Sequence, residues 1–493
     1  MKQFSINNYL KLFAVTATIA LIAPSCKRSF LDVPPQGQQP SEQFWKDESD
    51  ATKAVHAMYG NLREWKQVAF AAIAIESLGS DDTEKGSDPS DATFLNKFDN
   101  FTATSTEGQI LDFWNGQYQQ INLSNQVIDN LPNINMDANL KARYIAEAKF
   151  LRAFSYFRLV RAFGDVPLRL NVPKSAAEYN IPRTPKAQVW AAIETDLRDA
   201  AAVLPQSHPA NQIGRATKGA ALTLHAKVAM YQKKWADVLA LTNQVMTMGY
   251  SLFPNFEQQF RIENENNQES IFEIQARYVA GNCDQSSSQY SQVQGVRGVA
   301  RGGWGFNVPT SDLSNSFAAN DPRRDATIIF RGETTPQGDA IPTTVANPMY
   351  NQKSYVPFSH PTNQNCNEGS EQNIRVLRYA EVLLMNAEAA NELSNQTQAR
   401  QSLNLVRARA RGGNPAILPD VTTTDQAQLR LAIWNERRWE LAMEFDRYFD
   451  VIRQGRAAQI FGPKGWTQKY EVWPIPQNEI DISAGVLTQN PGH

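Results

Sequence analysis

The stretch IRVLRYAEVLLMNAEAANELSNQTQARQSLNLVRARAR, residues 374–411, decides the fold together with LRLAIWNERRWELAMEFDRYFDVIRQGR at 429–456. Leu377, Ala380, Leu384, Ala387 and Ala390 recur at spacings of three and four, which predicts one face of an α-helix. Leu403, Val406 and Ala410 repeat the period in a second helix, and Ile433, Trp439, Leu441 and Phe445 mark a third. Short polar connections at 394–397 and 412–415 predict that neighbouring helices pack antiparallel. Beside the apolar stripe run Arg375, Arg378, Glu381, Glu388, Arg407, Arg409, Glu436, Arg437, Glu440 and Arg447. These charges have two readings. One is internal salt bridges that set the register of the repeats, costly to break singly because a buried charge is left unpaired. The other is a polar seam that grips a partner. The sequence favours the first.

Working towards the N-terminus, helical periods recur at 233–248, 214–231, 185–204, 141–163 and 111–131, and Ser41 reads as the N-cap of a helix ending near Trp65. ALTLHAKVAMYQKKWADVLALTNQVMTMG resembles a tetratricopeptide unit, with small alanines that let helices approach closely. The stretch 251–373 differs. SIFEIQARYV at 270–279 alternates like a strand, 328–330 reads as another, and 280–303 is a long run of Gly, Asn, Gln and Ser with scattered Tyr and Arg. Irregular stretches of that length in compact proteins tend to carry function. The expected fold is therefore mostly α, with about four tetratricopeptide-like helical hairpins in roughly 111–250 and 374–460. A loop-rich region with short strands packs on one side. The acidic loop at 79–91 lacks the ligand spacing of an EF-hand and reads as a solvated loop rather than a Ca²⁺ site.

The chain has 493 residues, a hydrophobic fraction of 42% and a charged fraction of 20%, which is globular composition. A net charge of −2 gives no basic footprint for nucleic acid. Residues 1–25 read as a targeting segment: Lys2 and Lys11 precede an apolar run at 12–23 that is too short to span a bilayer. Ala23-Pro24-Ser25-Cys26 looks like a bacterial lipobox, so Cys26 is expected to become a lipidated N-terminus bearing palmitate-type chains; an ordinary secretory leader is the alternative. Residues 26–40 form a proline-rich tether, and 41–493 one domain. Cys283 and Cys366 either pair or remain thiols.

The five His fall in no HExxH, no GxSxG elbow is present, and Gly302-Gly303-Trp304-Gly305 lacks the Lys of a phosphate loop. The chain therefore reads as a non-enzyme with no metal or other cofactor. Sugar binding needs aromatic faces against C–H surfaces and planar polar side chains on hydroxyls. Trp304, in RGGWGFNVP, is the leading candidate, against burial as a loop anchor. Tyr278 and Tyr290 flank the irregular stretch, and Asn282, Arg297 and Arg301 are candidate hydrogen-bond donors.

The motifs FLDVPP after Cys26, AKFLRAFSYFRLVRAFGDVPL, GYSLFPNFEQQF, FAANDPRR, IRVLRYAEVLLMNAEAANEL, LNLVRARAR, NERRWELAMEFDRYFDVIR, VWPIPQNEI and LTQNPG occur in that order, almost end to end. Together they resemble the SusD/RagB family of outer-membrane nutrient-binding lipoproteins. The resemblance implies a tetratricopeptide-like scaffold whose loops, roughly 60–110 and 251–373, form the ligand site. It also implies a TonB-dependent SusC-like outer-membrane transporter as partner. The implied ligand is oligosaccharide, or peptide as in some branches; a repeat scaffold of the transporter complex with little binding of its own is a further alternative. It places Trp65 and Asp82 in a region that approaches the family site, although Trp65 also suits a helix-end core position. The expected location is the outer membrane, lipid-anchored and facing the cell exterior, with one departure: Lys27 and Arg28 follow Cys26 where surface-bound members often carry acids.

Overall fold

The computed structural model of the chain describes residues 44–175, 178–279, 286–299, 302–361 and 369–493. The leader, Cys26, the tether, the Ser41 cap, Cys283 and Cys366 lie outside the described residues.

Ten helices build the scaffold: α1 Glu48–Asn61, α2 Gly108–Asn130, α3 Ala138–Phe163, α4 Lys186–Val203, α5 Lys218–Tyr231, α6 Trp235–Met246, α7 Tyr379–Glu392, α8 Gln396–Ala410, α9 Gln426–Leu441 and α10 Arg447–Arg453. α3 starts where the Asp137 side chain accepts the Leu140 N–H at 2.8 Å, and stops at Gly164, whose φ of +72° ends the helix. Its residues are buried on nearly every side from Ala146 to Phe163, because α2 and α4 pack on two of its faces. The array continues with α5 between α4 and α6, α6 on α7, and α7 against both α8 and α9. The Asn386 amide crosses from α7 to α6, donating to Thr242 Oγ1 at 3.0 Å and Asn243 Oδ1 at 2.8 Å. The fold is mostly helical, with tetratricopeptide-like pairs, as the periodicity predicts. Among the described residues no helix is long and apolar enough to cross a membrane.

Six short strands form antiparallel pairs: β1 Thr83–Gly86 with β3 Phe306–Pro309, β2 Ser270–Ile274 with β6 Ile374–Arg378, and β4 Ile328–Phe330 with β5 Met349–Asn351. The pairing of β2 with β6 corrects the opening stretch. Residues 374–378 extend rather than coil, with Ile274 opposite Ile374 and Glu273 opposite Arg375. A helical period includes Leu377 by coincidence, and the strand's partner lies about a hundred residues away, invisible to local spacing. α1 is also shorter than expected. Asp47 caps it by accepting the Asp50 N–H at 3.1 Å, and it ends at Asn61, leaving Trp65 to open a separate turn.

The charges beside the apolar stripe are internal. Glu440, fully buried, receives Arg378 at 3.0 Å and Arg323 at 3.3 Å and also pairs with Arg409. Glu269 joins Arg378 to Arg409 at 2.5 and 2.7 Å, and Glu436 joins Arg323 to Arg407 at 2.6 and 2.7 Å. Asp321, Glu436, Glu440, Glu269 and Glu444 thus balance Arg323, Arg407, Arg378, Arg409 and Lys353. The start of the acidic loop is not solvated: Arg447 grips Asp81 through two bonds of 2.8 Å, and Arg438 donates to Asp82 at 2.7 Å, whereas Asp88 and Asp91 further along remain partly exposed.

Burial pushes the Glu440 carboxyl up, but Arg409, Arg378 and Arg323 outweigh it and hold the group down at about 2. A pKa below the unfolded value contributes stability that is complete above pH ~4.5 and is lost as pH falls towards 2. Glu440→Gln should therefore cost roughly 3 kcal/mol in urea unfolding at pH 7. It should also flatten the loss of stability between about pH 4.5 and 2 that the wild type shows.

An aromatic surface as candidate functional site

Trp65 opens the short helix Trp65–Val68, and Ala69 (φ −102°, ψ −135°) breaks the run before a second short helix, Phe70–Glu76. Polar groups from below fix this bend. Arg158 of α3 donates to Gln67 Oε1 at 2.8 Å, to the Gln67 carbonyl at 2.9 Å and to Glu76 at 2.7 Å. The Gln67 amide in turn donates to the Gly116 carbonyl of α2 at 2.6 Å. Trp304 arrives from the other half of the chain, just before β3. Its N–H donates to the Gln292 carbonyl at 2.8 Å, and the Gly303 N–H donates to Val296 at 2.7 Å. Only glycine fits at 303, where a Cβ would lie 2.4 Å from both the Gln292 carbonyl oxygen and Gly295 Cα. Gly305, at φ +76°, turns the chain into β3, which is held beside β1 with Gly86 opposite Phe306.

The two segments meet in one cluster of rings. Trp304 lies 5.9 Å from Trp65 and 6.1 Å from Phe70, centroid to centroid, and Trp65 and Phe70 are 5.1 Å apart. Phe94 extends the cluster at 6.0 Å from Phe70, and buried Phe306 supports it from beneath at 4.8 Å. Trp65, Phe70, Phe94 and Trp304 are all half-buried, so the cluster rests on the core and still presents ring surface to water. A polar wall flanks it. Lys85 Nζ donates to the Asp88 and Asp91 carbonyls at 2.7 Å each, and Arg297 reaches the Asp88 and Asp91 carboxylates at 2.6 and 3.0 Å. Burial pushes the Lys85 amine down against the opposing pull of Asp91 and Asp88. On the α2 side Lys66 pairs with Asp112 at 3.3 Å. Flat apolar rings beside fixed charges suit a ligand with C–H faces and hydroxyl edges.

The structure brings Trp65 and Trp304 together and sets Arg297 beside them, where it locks the Asp88–Asp91 loop. Tyr278 is half-buried with its N–H on Glu371 at 3.2 Å; among the described residues no ring contact joins it to the cluster. Tyr290 and Asp82 require correction. Tyr290 is 7% exposed, its ring is 6.0 Å from Phe445, and burial pushes its phenol up, so it is an interior group. Asp82 is 1% exposed and tied to Arg438; burial raises its carboxyl against that arginine. Both come from the polar edge of a loop that tertiary packing then covers. Asn282 and Arg301 lie outside the described residues. Sequence reasoning missed Phe70, Phe94, Phe306, Asp88 and Asp91. Phe70 had a signal, as the one aromatic ring in the small apolar run 68–78. Among the described residues no group of His, Cys, Asp and Glu could hold a metal.

The molecule is thus a tetratricopeptide-like helical protein with a loop-built aromatic surface. It belongs to the SusD/RagB family: the SusD family model matches residues 268–493, and a second, described as starch-binding associating with outer membrane, matches 29–230. SusD-like protein P2 of Formosa agariphila is similar, 28% identical across 98% of this chain and 100% of its own. A solved structure titled laminarin binding SusD-like protein is 28% identical, with TM-score 0.80 over 91% of this chain and all of that one. Surface glycan-binding protein A of Bacteroides thetaiotaomicron, solved with laminarihexaose, shares the fold at TM-score 0.76 and 24% identity, over 90% of this chain and 99% of its own.

Because its ring is only half-buried, Trp304→Ala should cost about 1 kcal/mol through lost ring pairs. The loss should appear in near-ultraviolet circular dichroism with the far-ultraviolet spectrum unchanged. Global unfolding of the variant would instead mark Trp304 as a core anchor.

Proposed function

We propose that this protein is an outer-membrane lipoprotein, anchored through Cys26. On this reading it binds oligosaccharide on the Trp65–Phe70–Trp304 surface and passes it to a TonB-dependent transporter of the SusC type. The observation that carries the binding step is the convergence of two half-exposed tryptophans from opposite halves of the chain at 5.9 Å. A surface held open in this way offers two ring faces, and each can stack on a sugar ring without rearrangement of the backbone. Family membership and the laminarin-binding relative support a glycan as the ligand. The lipobox-like Ala23-Pro24-Ser25-Cys26 supports the anchor, and Arg297 contributes by fixing the polar wall.

Isothermal titration against a panel of oligosaccharides should find at least one binder. Trp304→Ala should weaken it by about 2 kcal/mol, roughly thirtyfold in Kd. Silence on every glycan, with binding of peptides, would overturn the sugar reading. For the anchor, Cys26→Ala should move the protein from the membrane fraction to the soluble fraction.

A further inference from the structure

A second groove lies around α2 from the aromatic surface. Asp112 and Gly116 of α2 meet Lys66 and Gln67 beneath Trp65. Asn115, Tyr118 and Asn122, spaced by three and four along the same helix, line a cavity of about 360 Å³. Its opposite walls are the short helix Gln477–Ile482 and, in the segment that follows α3, residues 167–173 and 179–181. That segment is held rigidly at its near end. Tyr118 donates to the Pro167 carbonyl at 2.8 Å, and Tyr156 accepts the Arg169 N–H at 2.6 Å. Asn125 donates to the Arg169 carbonyl at 3.0 Å. Arg169 then donates to the Glu178 carbonyl at 2.7 Å and to that of Tyr179, which poises the Tyr179 ring at the rim.

Three observations point to a ligand. Tyr179 and Ile482, both lining the groove, are 59% and 64% exposed. Among the described residues, the side-chain amides of Asn115, Asn122 and Asn180 have no hydrogen-bond partner within the chain, although all three line it. The floor is aromatic, with Trp114 and Tyr118 at 4.9 Å. Each free amide offers two N–H donors and one acceptor, which is the complement of a pair of hydroxyls. The charged side chains of the lining are one cation, Arg169, whose donors are spent on backbone carbonyls, and one carboxylate, Glu479. The two offset each other, so the groove carries no net charge that would select an ion over a neutral ligand.

We infer that the groove between α2, residues 167–173 and 179–181, and the helix Gln477–Ile482 is a second carbohydrate-binding site, which takes a short neutral saccharide of about two sugar rings. It uses no residue of the Trp304 surface, so either assignment stands if the other fails.

Saturation-transfer NMR and hydrogen–deuterium exchange on the mature chain, with laminarihexaose, cellohexaose and maltohexaose as probes, test it. In Trp304→Ala, at least one probe should still protect residues 167–181 and still show saturation transfer. Adding Tyr179→Ala and Asn122→Ala, both surface changes that leave the core intact, should cut the remaining transfer roughly tenfold. The inference is overturned if no probe protects 167–181 in the wild type, or if Trp304→Ala alone abolishes every signal. It is equally overturned if the added pair of substitutions changes nothing, or if only peptides protect the segment.

Discussion

One unbroken chain of buried ion pairs joins the two halves of this protein. Glu76 receives Arg158 at 2.7 Å and Arg161 at 2.6 Å, and Arg161 reaches Asp446 at 3.2 Å. Asp446 pairs with Lys227 at 2.6 Å, Lys227 with Glu381 at 2.9 Å, and Glu381 with Arg437 at 3.5 Å. Arg437 continues to Asp450 at 3.0 Å, Asp450 to Arg453 at 2.6 Å, and Arg453 to Glu388 at 2.7 Å. The helix Phe70–Glu76 and helices α3, α5, α7, α9 and α10 all contribute. Every member is nearly or fully buried, so each charge is tolerable only because its neighbour is in place. Burial pushes the Glu76 and Asp446 carboxyls up, and their arginine and lysine partners more than reverse it.

The aromatic surface depends on that chain. Arg158 links Glu76 to Gln67, and Gln67 fixes the bend that carries Trp65 and Phe70. Arg161, at the next turn of α3, lies between the Phe157 and Phe449 rings at 4.8 and 4.4 Å from their centroids, so its charge is also packed against apolar surface. The partner segment with Trp304 is placed by backbone geometry instead, through Gly303 and the pairing of β3 with β1. One wall of the surface is therefore set by buried electrostatics and the other by steric exclusion. Neither needs a ligand to form it, which is the condition for binding without an ordering cost.

The helical scaffold was legible because its signal is local. A period of three to four is written within a single element, and the alanine-rich pairs read directly as close-packed hairpins. Residues 374–378 were misread as helix because the strand depends on β2, far away in sequence. Trp65 and Trp304 were both singled out, but nothing in the sequence placed them 5.9 Å apart, since 239 positions separate them. Asp82 and Tyr290 show the opposite failure. Polar and tyrosine-bearing loops suggest a surface, yet Arg438 and Phe445 cover these two from other elements. The groove beside α2 went unread for a similar reason: its asparagines look like ordinary solvent-facing residues, and no local pattern shows that residues 167–173, 179–181 and the helix Gln477–Ile482 wall a groove beside them.

The most direct test of the central claim is a crystal structure of the protein with the oligosaccharide that binds it most tightly. The account predicts sugar rings stacked on Trp304 and Trp65, with hydroxyls towards the Asp88–Asp91 wall and little backbone movement from the free form. A saccharide bound elsewhere with the Trp65–Trp304 rings bare, or those rings separated in the complex, would contradict it.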